Sequence, residues 1–78
     1  MPRTHRDALK RKAAQIYFEL DRAMADALEL KAEFDEHHPE LGAVLEVVAA
    51  VCLQDQELLG KFWAEAWGQE DPRWQSWI

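Results

Sequence analysis

"EFDEHHPELG", residues 33–42, interrupts an otherwise almost unbroken helical pattern, and the way the chain passes through it decides the fold. Proline drives the residue before it out of helical geometry, while its fixed φ and missing N–H suit the first position of a helix. The stretch therefore predicts one helix closing at His37, a turn over 37–39, and a second helix from Glu40 with Pro39 at its mouth. So short a connection between long helices makes them antiparallel neighbours.

Upstream, from Thr4 to His37, the apolar residues Leu9, Ala13, Ile16, Leu20, Ala23, Ala27, Leu30 and Phe34 recur alternately four and three apart. A 4-3 spacing keeps one face of a helix on a neighbour and is the signature of left-handed packing in bundles and coiled coils. Tyr17, Met24 and Leu28 widen the stripe on one side. Thr4 followed by Asp7 reads as a capping-box start. The alanines of the seam permit close helix approach but supply little burial of their own.

Downstream, over residues 40–67, the pattern resumes with Leu41, Val44, Leu45, Val48, Val51, Cys52, Leu58, Leu59, Phe62, Trp63 and Ala66. In "AVLEVVAAVCL", residues 43–53, Glu46 is the only charge, so the stripe is too broad for one neighbouring helix to cover. Two hairpins pairing into a four-helix bundle would cover it. At "QDQE", residues 54–57, Asp55 occupies a seam position. A break there would make Asp55 the cap of a third helix from Gln56 to Trp67; the preferred reading is one continuous helix with Asp55 in water. Gly68 is a natural stop. "DPRWQSWI", residues 71–78, reads as a short helical turn over 71–77, with Asp71 as cap, Pro72 first, and Trp74, Trp77 and Ile78 on one face. The expected fold class is all-α: one domain, an antiparallel two-helix hairpin with a short C-terminal helical turn, paired into a helical bundle.

Composition agrees. The 78 residues include only three glycines and three prolines, which favours helix. A chain of this size buries about 60% of the surface its unfolded form exposes, so its core needs reinforcement. The single cysteine, Cys52, rules out an intrachain disulfide and fits a reducing cytosol. Cys52 with His5, His37 and His38 does not make a four-ligand zinc set. Asp35 and His38 have the carboxylate-x-x-His spacing of di-iron bundles, but they sit at a helix end, and Glu46, Glu57 and Glu65 have no histidine near them. No metal and no cofactor is expected. Nor is there a Ser/His/Asp order, a glycine-rich phosphate loop or a paired-carboxylate cleft, so no catalytic residue is assigned and the chain is read as a non-enzyme.

The net charge of −6 is unevenly spread. Residues 1–12 hold Arg3, Arg6, Lys10, Arg11 and Lys12 against Asp7 alone, while the rest of the chain is strongly acidic. An acidic body disfavours nucleic acid and anionic membranes as partners. No apolar run approaches the roughly 20 residues of a membrane span, and the basic start leads into no apolar signal segment, so a cytoplasmic protein is expected.

Four tryptophans fall in the last quarter of the chain. In an antiparallel hairpin Trp63 and Trp67 close the open end beside Arg3, Arg6 and Lys10, within reach of cation–π contacts. Trp74 and Trp77 either fold back on that end or, with Ile78 and the edge of Trp67, form an anchor for a partner protein, since tryptophan is enriched at binding hot spots. The leading functional expectation is a small dimeric helical interaction module that binds another protein through this apolar, Trp-rich surface. The alternative is an acidic inhibitor that mimics nucleic acid through Asp26, Glu29, Glu33, Glu36 and Glu40. An ordinary solvated helix face explains the same cluster.

Overall fold

The computed structural model of the chain describes residues 3–68 and 72–77. It is an antiparallel hairpin of two long helices, α1 (Arg3–Phe34) and α2 (Pro39–Trp67), followed by a 3-10 turn (Trp74–Trp77). No strand occurs among the described residues. Helix α1 is already under way at Arg3, one residue before the expected Thr4 start, and the Asp71 cap and Ile78 lie outside the described residues.

The connection is tighter at its first end than the proline rule implies. Helix α1 closes at Phe34 rather than His37, and the chain turns through Asp35–His37, with the His38 N–H donating to the Phe34 carbonyl at 2.7 Å. His38, held at φ −138° and ψ 65° ahead of Pro39, is non-helical as a residue before proline must be. The first turn of α2 then crosses the end of α1 so closely that a Cβ at Gly42 would overlap the Asp35 carboxylate, which is itself paired with Lys31. Gly42 is the residue that lets the two helices meet there.

Helix α2 runs unbroken through Asp55, whose side chain is exposed, so there is no third long helix. It ends at Gly68, in the left-handed region (φ 68°, ψ 23°), with the Gly68 N–H donating to the Ala64 carbonyl at 2.8 Å. Gly60 lies mid-helix with open space where a Cβ would stand. Gly60→Ala should therefore stabilise the fold by about 0.5–1 kcal/mol, the helix-propensity difference. At ~4–8 °C per kcal/mol for a domain of this size, a thermal melt would show a rise of a few degrees.

The helix contact lies one row away from the apolar stripe's centre. On α1 the residues buried or half-buried along the contact are Lys10, Ala13, Tyr17, Leu20, Met24, Ala27 and Lys31; on α2 they are Gly42, Leu45, Ala49, Cys52, Gln56, Leu59 and Trp63. Each set alternates three and four apart. Ala13, Leu20 and Ala27 are shared with the expected seam, but Leu9, Ile16, Ala23 and Leu30 are exposed beside it. Small residues decide this: Ala13, Ala27, Gly42, Ala49 and Cys52 line the contact and let the helices approach. The Gln56 side-chain amide reaches across to donate to the Tyr17 carbonyl at 3.1 Å, putting these two residues at one level. The resulting core is thin. Among the described residues its buried apolar members are four alanines, Cys52 and one large side chain, Trp63, which is fully buried.

Candidate functional site

Two regions stand out against this thin core: the aromatic end of the hairpin and one long apolar flank.

At the open end, the 3-10 turn packs against α1. Arg73 takes a left-handed conformation (φ 48°), and its carbonyl accepts from both the backbone N–H (3.0 Å) and the hydroxyl (2.8 Å) of Ser76. That reversal turns both tryptophans of the 3-10 turn inward. Trp74 stacks on Tyr17, with centroids 4.7 Å apart and planes 11° from parallel, and meets Trp63 edge-on at 5.1 Å. Trp63 also contacts Trp67 at 4.8 Å and Trp77 at 5.9 Å. Lys10 is buried among them, its Nζ 4.9 Å from the Trp77 ring centroid, 5.3 Å from Trp63 and 5.6 Å from Trp67. Burial pulls the Lys10 ammonium below the usual lysine range, the nearby Arg6 adds to that, and Asp7 acts the other way. The ring faces, with their negative quadrupoles, are what make the buried ammonium tolerable. A shallow cleft of about 610 Å³ lies beside this cluster, between Tyr17, Phe18, Asp21 and the turn residues Arg73, Trp74, Gln75 and Ser76.

Trp67, Trp74 and Trp77 are thus half-buried parts of the closure of the hairpin, with edges left to solvent, and Ile78 lies outside the described residues. The acidic residues Asp26, Glu29, Glu33, Glu36 and Glu40 are all exposed around the turn end of the hairpin. Near them Asp35 pairs with Lys31, raising the Lys31 ammonium above the usual range chiefly through that hydrogen bond, and His38 Nδ1 lies 3.6 Å from Glu40 Oε1. Among the described residues no three His, Cys, Asp or Glu side chains come together as a metal-binding group. Nor, among those residues, is any helix long and apolar enough to cross a membrane.

The second region is the one that composition hinted at and spacing locates. Leu9, Ile16, Ala23 and Leu30 repeat every seventh residue along α1, and Leu41, Val48, Asp55 and Phe62 do so along α2, with Val44, Val51 and Leu58 one row further out. All eleven are exposed; Ile16 is 46%, Phe62 53% and Val44 59% accessible. The two rows lie on the same side of the hairpin, because Leu9, Ile16, Leu59, Phe62 and Trp67 together line an almost wholly apolar groove of about 220 Å³, with Lys12 at its edge. The face therefore runs the length of the molecule, whose extents are 54 by 20 by 15 Å, and Asp55 is the only charge within its rows. Single exposed apolar residues are ordinary on a protein surface, whereas contiguous apolar faces of this size are uncommon on monomeric proteins. No protein-family model, curated protein or solved structure matches this chain.

Proposed function

We propose that this protein is a small non-enzymatic interaction module of the cytoplasm that works as a dimer of helical hairpins, and that the dimer binds a partner protein. The observation that carries the reading is the exposed apolar face of Leu9, Ile16, Leu30, Leu41, Val48 and Phe62. A second copy is the occupant that fits it. A face 54 Å long and 20 Å wide, covered by its twin, would remove about 1,000 Å² per chain and about 2,000 Å² in total, at the upper end of standard stable interfaces. The thin core gives the same answer from the other side, since a chain of 78 residues with one large buried side chain gains most by sharing a core. With that face occupied, and Trp67 under its edge, the outer edges of Trp74 and Trp77 at one end and the acidic turn at the other remain for the partner protein.

Light scattering across a concentration series tests the reading. The expected mass is twice the 9.1 kDa of one chain, falling toward the single-chain value only on dilution. A single-chain mass at every concentration would overturn it. Asp55 offers an independent check. It sits in an apolar row close to the middle of α2, so a twin laid on this face brings two carboxylates toward each other in a drying interface. Asp55→Leu should tighten the dimer at least about ten-fold, through lost desolvation and repulsion. Weaker association in the dilution series would place Asp55 outside the interface.

A further inference from the structure

Building on the dimer reading, we infer that the two hairpins pair antiparallel, turn end against open end, with α1 packed on α1 of the partner subunit and Lys12 paired to Asp26 of the partner subunit. Charge distribution along the hairpin is the first argument. Because Gln56 lies level with Tyr17, residues 19–54 form the turn half of the molecule. They carry nine acidic and two basic side chains, a net −7. The helical arms of the open half, residues 3–18 and 55–68, carry six basic and four acidic side chains, a net +2. A parallel pair sets the two −7 halves side by side. An antiparallel pair sets each against the mildly basic half of its twin.

The rows bordering the apolar face make the same choice residue by residue. On α1 the outer border is His5, Lys12, Glu19, Asp26 and Glu33; on α2 it is Glu40, Val47, Gln54 and Lys61, each row again seven residues apart. In a parallel pair, α1 lies on the partner's α2. Counting outward from the shared level of Tyr17 and Gln56, Lys12 then falls level with Lys61 and Glu33 with Glu40. Both pairings are like-charged, and like charges facing each other across a helix contact repel. In an antiparallel pair, α1 lies on α1 about a twofold axis at its midpoint, which falls between Phe18 and Glu19. Lys12 and Asp26 lie seven residues to either side of Glu19, so each Lys12 meets Asp26 of the partner subunit, twice by symmetry, while Glu19 faces Glu19 of the partner subunit at the axis, one like-charged contact against the four of the parallel pair. His5 and Glu33 are related in the same way. Behind this border Leu9 comes level with Leu30 of the partner subunit and Ile16 with Ala23 of the partner subunit, which sets large side chains from one hairpin's groove against the partner's exposed turn half.

A charge-swap cycle on the dimer dissociation constant tests the orientation. Lys12 and Asp26 are both exposed in the hairpin, so their substitution leaves its fold intact. Lys12→Glu and Asp26→Lys should each weaken the dimer about three- to thirty-fold, and the double variant should return to within about three-fold of the native chain. If Lys12→Glu tightens the dimer, the clash with Lys61 is real and the pairing is parallel. If the double variant is as weak as the two losses combined, the pair does not exist. A spin label at His37→Cys in a Cys52→Ala chain reads the orientation without touching these charges. The label-to-label distance should approach the 54 Å length of the molecule, and a distance under about half of that overturns the inference while leaving the dimer standing. Absence of any dimer, by contrast, removes the reading on which the inference rests.

Discussion

Trp63→Ala is expected to be the most damaging single substitution in this chain, lowering stability by about 3–5 kcal/mol. Trp63 is fully buried and touches Trp67, Trp74 and Trp77, with the Lys10 ammonium over its ring. Removing the indole leaves a cavity that three half-buried rings cannot fill without releasing Lys10 or undocking the 3-10 turn. Domains are stable by roughly 0.05–0.15 kcal/mol per residue, so the loss is a large share of what this chain has. A circular-dichroism melt should show the midpoint falling by more than about 12 °C, with helix content reduced at room temperature. A fall of only a few degrees would mean that the cluster is a surface decoration. Trp74→Ala and Trp77→Ala, measured alongside, separate closure from anchoring: if they keep the fold and lose the partner protein, their outer edges are the anchor.

The second large effect is expected at the apolar face. Val48 is 43% exposed in the single hairpin, so a charge there costs that hairpin little. In the proposed dimer it would lie under the twin. Val48→Glu would bury two uncompensated carboxylates about one twofold axis, and association should weaken by more than about a hundred-fold, leaving the 9.1 kDa species in light scattering. Leu53 provides the control. It is 49% exposed and equally apolar, but it stands on the opposite flank of α2, in the row of Glu46 and Gly60. Leu53→Glu should leave the mass unchanged. If the two substitutions act alike, the effect is one of general solubility and the assigned face is wrong.

Much of this architecture was legible in residues alone, and particular ones show why. Pro39 announces a helix start because its ring forbids the helical state of His38, whatever the rest of the molecule does. Gly68 marks the stop because its φ of 68° is open to glycine and strained for other residues. The stripe over residues 43–53 is broader than one neighbouring helix covers, and Val44, Val48 and Val51 within it are indeed exposed in the hairpin. Lys10 escaped notice as a core residue, since a lysine is seldom buried. The clue lay in spacing: Lys10 is in register with Tyr17, Met24 and Lys31, the row that makes the helix contact.

What the sequence by itself determined is therefore local and periodic: two helices, their antiparallel order, the stop of the second at Gly68, and an apolar stripe broader than one neighbouring helix covers. Only the tertiary structure decided which apolar row faces inward. Rows offset by three or four residues lie only about 40–60° apart around a helix and can be equally apolar, so periodicity finds a stripe and leaves its centre undetermined. The choice went to the row of small residues, because close approach of the two backbones at Ala13, Ala27, Gly42 and Ala49 leaves no room for Leu9, Ile16 and Leu30, which are turned outward into the exposed apolar face.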